Sequence, residues 1–369
     1  MKFGIDTKLF KKIDWGLVFI IIVLCTWGVI MVASATRDLD SARYVKTQIS
    51  SVVVGIVAVF IILSFDYKLF EKIYIHIYVI SNVLLIIVLL FGQGKEQWGA
   101  DRWIRIGGFG FQPSDFVKIA MIICLAKVVD DHKKYIDYIP TLGKILAFIG
   151  FPMLLILIQP DLGTTLAFGV FTFGILFIAG LKYKYILNSI MIGIFSLPFL
   201  WMGLKDYQKS RIMVFLNPEE DPTGSGYHIL QSKIAIGSGE FWGSGIFKGI
   251  QHIHGFLPEK HTDFIFSMLT EELGFLGSGI LILLYLFLIY RCINIARNAR
   301  DDFGKYLVMG ITFMISFHII ANIAMTMGLM PITGKPLPFM SYGGTFMLSN
   351  MIAVGIVLNV NMRRDKINF

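Results

Sequence analysis

The chain has 369 residues, of which 56% are hydrophobic and 16% are charged, and its formal net charge is +8. Its apolar runs are too long for a soluble protein of this length, so the composition indicates an integral membrane protein. The basic residues fall in short loops beside the apolar runs, which favours membrane orientation over nucleic-acid binding.

Ten stretches are long and apolar enough to cross a hydrocarbon core, for which about twenty residues suffice. They lie near residues 15–35, 48–65, 74–91, 114–129, 145–158, 164–180, 186–202, 264–290, 306–327 and 345–360. We therefore expect an all-α integral membrane protein with about ten transmembrane helices in one bundle. Because no linker or repeat interrupts the pattern, residues 1–369 are predicted to form a single transmembrane domain.

The first stretch imitates a cleavable signal peptide, because Lys11 and Lys12 precede it and Ala33, Ser34 and Ala35 end it. The apolar core of a signal peptide has about 7–15 residues, and this run is longer, so we expect it to remain as the first helix. With a cytoplasmic N-terminus, the inside loops hold nineteen Lys and Arg residues and the short outside loops hold seven. This asymmetry predicts that both termini are cytoplasmic.

The second outside loop, 92–114, combines tryptophan with arginine at Trp98, Arg102, Trp103 and Arg105. Tryptophan rings suit the level of the lipid headgroups, and a guanidinium can bind a phosphate through two parallel hydrogen bonds. Membrane anchoring and phosphate binding both remain open.

The fourth helix is predicted to begin at Pro113, with Ser114 and Asp115 at the positive end of its dipole. Lys118 follows Asp115 by three residues and therefore shares its helix face. A structural ion pair is one interpretation of this spacing. The other is that Lys118, with the arginines of the preceding loop, helps to receive a diphosphate.

A long segment at about 203–263, rich in Gly and Pro, joins the seventh and eighth apolar stretches. Ordered loops of this length are usually functional, with a flexible connection as the alternative. Residues 229–236 are predicted to form a short amphipathic helix on the membrane surface. The glycines of 237–249 would let the backbone approach a ligand closely.

Glu259, His261 and Asp263 stand directly before the eighth apolar stretch. An ionised side chain at the edge of the hydrocarbon must pair, stay wet or do chemistry, so these residues are functional candidates, and Asp263 is the strongest. His252, His254 and His261 lack the spacing of a convincing zinc site. The three cysteines show no metal-ligand spacing either, so no metal site is predicted.

The last outside loop, 327–344, contains prolines and glycines that prevent a regular helix. Irregular backbone at membrane depth is tolerated only when it is buried in protein or lines a wet cavity, so the loop predicts a cavity that opens outward. Lys335 and Ser341 are its candidate substrate-binding residues. A cavity with one carboxylate, several cations and lipid access suits an amphiphile with an anionic head, handled by a transferase or a transporter.

Four segments resemble, in order along the chain, the signature segments of the SEDS family. They are RWIRIGGFGFQPSD, QPDLGTTL, LPEKHTDFIFSMLTEELG and GLMPITGKPLPFMSYGG. The resemblance covers essentially the whole chain. Within the family, DPTGSGYHILQSKIAIGSG and IQHIHGFLPEKHTDF are more similar to the RodA type, of cell elongation, than to FtsW, of division, and the sporulation type SpoVE also stays open.

The resemblance implies a peptidoglycan glycosyltransferase that polymerises lipid II on the outer face of the bacterial cytoplasmic membrane. Asp263 matches the family's essential aspartate and would act as the general base on the GlcNAc 4-hydroxyl of the acceptor. This hydroxyl would attack the anomeric carbon of the donor MurNAc and expel undecaprenyl diphosphate with inversion. Lys118, Arg102, Arg105 or a divalent cation, Mg²⁺ or Mn²⁺, would stabilise the leaving group. The other substrate-binding candidates are Asp115, Glu259, His261, Lys335 and Ser341.

The implied partners are a class B penicillin-binding protein and the elongation machinery. A lipid II flippase and a non-catalytic scaffold are the alternatives from other classes. The transferase is favoured because the polar candidates gather on the predicted outer half and because neither alternative gives Asp263 a task. The chain departs from the family pattern at Asp115, where Glu is usual, and at Glu240, where a second glycine often follows Gly239.

Overall fold

The computed structural model describes residues 11–93, 102–106, 109–203, 206–221, 224–250, 255–257 and 259–364. Within these ranges the chain forms α-helices and one short antiparallel hairpin. The elements are α1 Trp15–Ala35, α2 Ser41–Ser64, α3 Lys68–Phe91, β1 Ile104–Ile106, β2 Phe109–Phe111, α4 Pro113–His132, α5 Ile139–Ile158, α6 Leu162–Ile178, α7 Tyr183–Gly203, α8 Asp206–Leu216, α9 Ser225–Ser238, α10 Ile265–Arg297, α11 Asp302–Thr326 and α12 Gly344–Met362. In the hairpin, Ile104 pairs with Phe111 and Ile106 with Phe109.

All ten apolar stretches predicted from the sequence coincide with helices, namely α1 to α7 and α10 to α12. Seven of the described helices are long and apolar enough to cross a membrane: α1, α2, α3, α5, α10, α11 and α12. Helix α6 is apolar but shorter, with 17 residues. The prediction of an all-α, multi-pass membrane protein is therefore confirmed.

Helix α11 lies inside the bundle and positions the site described below. It packs against α4, α6, α10 and α12, and most residues of its apolar stretch are buried. Helix α12 is also largely buried and packs along α2. Helix α7 lies at the periphery, where Tyr183, Ile192 and Met202 are strongly exposed. Exposed apolar side chains of this kind suit a lipid surrounding.

Several helices begin at an aspartate whose side chain accepts a hydrogen bond from the first turn. The capping residues are Asp14 for α1, Asp40 for α2, Asp161 for α6 and Asp301 for α11. Each carboxylate satisfies an N–H group that the helix itself leaves without a partner, and its charge matches the positive end of the helix dipole.

A kink at Gly274 divides α10, because this residue has a φ of +64°, which an L side chain rarely adopts. A Cβ atom on Gly274 would lie 2.4 Å from the backbone nitrogen of Gly243, so the preceding segment packs directly on the kink. Ser244 N–H donates to the Glu271 carbonyl at 3.0 Å and Gly245 N–H to the Glu272 carbonyl at 2.9 Å. These bonds fix residues 244–245 of the long segment on α10.

The long segment predicted at about 203–263 contains the two helices α8 and α9. The helix predicted at 229–236 is therefore confirmed, and its expected position on the membrane surface stays a prediction. Ile229 and Ser232 are buried against the bundle, where the Ser232 hydroxyl lies 2.6 Å from the Ser267 hydroxyl and donates to the Thr326 carbonyl at 2.6 Å. Helix α9 thus docks on α10 and α11 through one face, because the bundle supplies partners for its polar groups as well as its apolar ones.

An apolar cavity of about 340 Å³ lies between α2, α3, α4 and α12. Its lining includes Ile62, Phe70, Ile119 and Ile352. The lining is aliphatic and aromatic, so this cavity differs from the wet cavity predicted beside the last outside loop. That wet cavity stays a prediction.

Candidate functional site

Asp263 lies two residues before Ile265, where α10 begins, and its side chain is half-buried. Its carbonyl accepts a hydrogen bond of 2.8 Å from the side-chain amide of Asn322, a buried residue of α11. The same amide donates to the carbonyl of Lys335 at 2.8 Å. Asn322 therefore joins the backbone that carries Asp263 to the proline-rich segment 327–343.

Two more hydrogen bonds join the Asp263 segment to the proline-rich segment. The Ser341 hydroxyl donates to the Thr262 carbonyl at 2.6 Å, and Tyr342 N–H donates to the His261 carbonyl at 2.8 Å. The predicted substrate-binding residue Ser341 is buried and accepts from Leu337 N–H at 2.8 Å, so its side chain holds two pieces of backbone together. A contact of Ser341 with substrate stays a prediction.

Gly334 provides the backbone that faces the Asp263 carboxylate. A Cβ atom on Gly334 would lie 3.6 Å from Oδ2 of Asp263, and the φ of this glycine is +61°. A side chain there would be strained and would stand beside the carboxylate. The glycine therefore keeps this side of the Asp263 carboxylate free of a neighbouring side chain.

Glu259 closes the turn that leads into α10. Its carbonyl accepts hydrogen bonds from Thr262 N–H at 3.1 Å and Phe264 N–H at 3.2 Å, and its carboxylate accepts from the Thr262 hydroxyl at 2.9 Å. Glu259 has a φ of +49° and is exposed. A contact of Glu259 with substrate stays a prediction.

His261 is half-buried and lies in a cluster of aromatic rings with Tyr44 and Tyr342. Burial lowers the pKa of the imidazole, because the charged form loses solvation, and the nearby Glu259 carboxylate opposes this shift only in part. His261 is therefore held neutral near pH 7. A neutral imidazole can offer one hydrogen-bond donor and one acceptor to a ligand.

The ion pair predicted between Asp115 and Lys118 is present, with 2.9 Å between the Lys118 ammonium and Oδ1 of Asp115. The pair is buried, and only 2% of the Lys118 side chain is exposed. The ammonium also lies 3.0 Å from Nε2 of His318 and 5.5 Å from the centroid of the Phe346 ring. The shorter reach of Asp115, compared with the glutamate usual in the family, is thus sufficient for contact.

His318 was not predicted from the sequence. It lies on α11 four residues before Asn322, so the two side chains share one helix face. Together they place the Asp115–Lys118 pair and the Asp263 backbone on the same buried side of α11. The available signal was a histidine inside an apolar span, since ionisable residues within a membrane are functional candidates by default.

Arg102 does not point to an open phosphate site in this structure. Its Nε donates to the Gln159 carbonyl at 3.1 Å, another guanidinium nitrogen donates to the Pro160 carbonyl, and Nη1 lies 3.7 Å from Oδ1 of Asp161. The side chain of Arg105 lies outside the described residues. Arg102 therefore fixes the start of α6, and its predicted contact with a leaving diphosphate stays a prediction.

Lys335 is buried and engaged by α6. Its ammonium donates to Oδ1 of Asp161 at 2.8 Å and to the Thr164 hydroxyl at 2.7 Å. Burial alone would raise the pKa of Asp161, but the charges of Lys335 and Arg102 hold it below its ordinary value. Two cations and one carboxylate thus leave an excess of positive charge at this end of the site.

Three further buried acidic residues had no role predicted from the sequence, namely Asp161, Glu271 and Glu272. Glu272 accepts hydrogen bonds from the Ser34 hydroxyl and from Phe247 N–H at 3.0 Å, which joins α1 and the long segment to α10. Asp161 could have been recognised as a carboxylate at the start of an apolar run. Glu271 and Glu272 could have been recognised as adjacent glutamates within a predicted span.

The described residues contain no group of three or more His, Cys, Asp and Glu side chains that could hold a metal ion. His252 and His254 lie outside the described residues, so the zinc interpretation is not addressed for them. A divalent ion at Asp263 would have to take most of its ligands from a bound diphosphate, as Mg²⁺ commonly does.

The chain matches the family profile of FtsW, RodA and SpoVE, described as cell cycle protein, over residues 14–366. It is 38% identical to a probable peptidoglycan glycosyltransferase FtsW of Trichlorobacter lovleyi, over 96% of this chain and 95% of that protein. It is 35% identical to the peptidoglycan glycosyltransferase MrdB of Escherichia coli, again over 96% of this chain and 95% of that protein. A solved chain from a peptidoglycan synthase complex superposes with a TM-score of 0.83 at 27% identity, covering 96% of this chain and 99% of the other. The predicted family resemblance, and with it the glycosyltransferase class of enzyme, is confirmed.

Proposed function

Because this chain belongs to the FtsW, RodA and SpoVE family of cell cycle proteins, we propose that it polymerises lipid II into glycan strands of peptidoglycan. The observation that carries this proposal is the position of Asp263. Its half-buried carboxylate stands at the start of a membrane helix, faces the backbone of Gly334 and is carried on a backbone fixed by Asn322. A carboxylate held in this way is suited to taking a proton from a bound hydroxyl.

In the proposed step, Asp263 accepts the proton of the GlcNAc 4-hydroxyl of the acceptor as its oxygen attacks the anomeric carbon of the donor MurNAc. The new C1–O4 bond forms as the bond from C1 to the diphosphate oxygen breaks, with inversion at C1. The electron pair leaves with undecaprenyl diphosphate, and the proton passes from Asp263 to solvent. A positioned base contributes on the order of 10²–10⁴-fold to such a step. No general acid is needed, because a diphosphate leaves as an anion.

The departing diphosphate requires positive charge close to the reacting centre. The excess charge of Arg102 and Lys335 over Asp161 supplies a field of the right sign. The Lys118 side chain contacts Asp115 and His318, so it stabilises the buried side of α11 and contributes to the electric field at the site from there. A divalent ion on the diphosphate would add to these charges.

Within the family we propose the RodA type, acting in cell elongation, on the strength of the segments around residues 221–239 and 250–264. We also propose that both termini are cytoplasmic and that Asp263 faces outward, as the distribution of Lys and Arg predicts. The solved relative belongs to a peptidoglycan synthase complex. This supports a class B penicillin-binding protein as the partner that crosslinks the strands.

The test is polymerisation of fluorescent lipid II by the purified full-length chain in liposomes, with and without the penicillin-binding partner and with Mg²⁺ or Mn²⁺. Glycan ladders that depend on the chain support the proposal. The absence of ladders under every condition, together with movement of lipid II between the leaflets, would assign the chain to the flippase alternative.

A further inference from the structure

Three aromatic rings meet beside Asp263. The Tyr44 ring of α2 lies 5.1 Å from the His261 ring, edge to face, and 5.0 Å from the Tyr342 ring, tilted by 57°. The His261 and Tyr342 rings are 5.6 Å apart. His261 is two residues before Asp263 in the chain, so this aromatic cluster of Tyr44, His261 and Tyr342 is built on the turn that carries the proposed base.

The aromatic cluster is held in place from the backbone. Tyr342 N–H donates to the His261 carbonyl at 2.8 Å, and the side-chain amide of Gln48, one turn after Tyr44 on α2, donates to the Ser341 carbonyl at 3.2 Å. These bonds anchor the backbone that carries the His261 and Tyr342 rings and join it to α2. A surface fixed in advance binds a ligand without the cost of ordering its own side chains.

The aromatic cluster is partly accessible. All three side chains are half-buried rather than enclosed. In the part of the chain that the structure describes, neither the Tyr44 nor the Tyr342 hydroxyl has a hydrogen-bond partner. A half-buried tyrosine usually places its hydroxyl against a partner or in water, so both are free to meet polar groups of a ligand.

We propose that the aromatic cluster is a carbohydrate-binding surface that holds an amino-sugar ring of the lipid-linked substrate next to Asp263. The faces of aromatic rings are electron-rich, and the C–H groups on one side of a pyranose ring carry partial positive charge, so the two surfaces attract each other. The tyrosine hydroxyls donate to or accept from the sugar hydroxyls around the edge of the ring. Aliphatic side chains would supply apolar area but neither of these interactions.

This inference rests on the proposed function and names which part of the substrate the residues beside Asp263 recognise. It assigns Tyr44 and Tyr342 to the sugar and leaves the diphosphate to the cations. Of this group only His261 was a candidate by its position in the sequence, because the cluster is assembled from α2, the turn before α10 and the proline-rich segment.

The experiment compares the binding of two ligands to the full-length chain in nanodiscs. Lipid II carries the disaccharide, whereas undecaprenyl diphosphate has the same lipid and diphosphate without sugar. Tyr44→Leu and Tyr342→Leu should each weaken lipid II binding by about tenfold and leave the binding of undecaprenyl diphosphate unchanged. Tyr44→Phe and Tyr342→Phe, which keep the rings, should weaken lipid II binding by a factor of about two to five.

Equal weakening for both ligands would overturn the inference, because it would show that the rings only support the local fold. Unchanged lipid II binding in both leucine variants would overturn it as well. If the leucine variants do not fold, the phenylalanine variants decide: a loss confined to lipid II supports the inference, and wild-type binding of both ligands overturns it. The binding readout does not depend on turnover, so a chain that polymerises lipid II without this ligand difference would keep the proposed function and lose only the sugar surface.

Discussion

Nε2 of His318 lies 3.0 Å from the ammonium of Lys118, and both side chains are buried. The imidazole must be the acceptor in this contact, because an ammonium has only donors. Its Nδ1 therefore carries the hydrogen, and among the described residues this atom has no hydrogen-bond partner. The Lys118 side chain thus donates to two buried acceptors, Asp115 and His318.

Replacing His318 separates the role of its nitrogen from the role of its volume. His318→Leu should lower the free energy of unfolding by about 1–3 kcal/mol, since a buried ammonium loses an acceptor. His318→Gln keeps an acceptor and should retain most of the stability and of the polymerisation rate. Thermal unfolding and initial rates measure both effects. Equal behaviour of the two variants would show that the contact with Lys118 has no energetic importance.

The buried pair of Asp161 and Lys335 should show strong coupling in a double-mutant cycle. Lys335→Met leaves a buried carboxylate with only the more distant Arg102 as a cation, which should cost about 3–5 kcal/mol. Asp161→Asn removes the partner of a buried ammonium and should also be costly. The double variant should be more stable than the sum of the single effects predicts, by about 0.5–3 kcal/mol. Additive effects in denaturant unfolding would contradict a direct interaction.

Glu240 departs from the family pattern at a position where the backbone favours glycine. Its φ is +47°, a conformation in which glycine is unstrained and an L side chain is not, and its carbonyl accepts from Phe275 N–H at 2.9 Å. Glu240→Gly should raise the free energy of unfolding by about 1 kcal/mol. The matched control is Glu219→Gly, at an exposed position in a short 3₁₀ helix, which should give no gain. If Glu240→Gly raises the free energy of unfolding no more than Glu219→Gly does, the backbone at position 240 is not strained.

Acidification should destabilise the chain in part through His261. Burial holds the pKa of His261 below its ordinary value of 6.5, so the unfolded chain takes up the proton first as the pH falls. The free energy of unfolding should therefore decrease below about pH 6.5. His261→Asn removes this contribution and should reduce the loss of stability between pH 7.5 and 5.5. An unchanged pH slope in the variant would exclude His261 as its source.

The helices were predictable because each apolar stretch is long and its boundaries carry recognisable residues. Pro113 begins α4 as expected, and the Asp115–Lys118 pair follows directly from helical spacing. The depth of Lys335 was not predictable, because its partner Asp161 is 174 residues away in the chain. Only tertiary packing brings such residues together, and a single sequence carries no direct signal of it.

The same distinction applies to the site. Asp263 could be identified because a carboxylate at the mouth of an apolar helix is unusual by itself. Asn322, His318 and Tyr44 could not be identified in the same way, since each resembles an ordinary helix residue until its partners are known. Ser341 was identified as a candidate, but its two backbone contacts show a task in joining segments that the sequence did not indicate.

Whether Asp263 is the base of a polymerase is tested by Asp263→Asn in the lipid II polymerisation assay. Asp137→Asn is the control, because it makes the same chemical change at an exposed ion pair with Lys182, distant in sequence from the site. We expect Asp263→Asn to fold, with thermal unfolding close to that of the wild type, and to lose at least a hundredfold in rate, while the control keeps wild-type rates. Ladders of wild-type length and rate from a folded Asp263→Asn variant would contradict this role of Asp263.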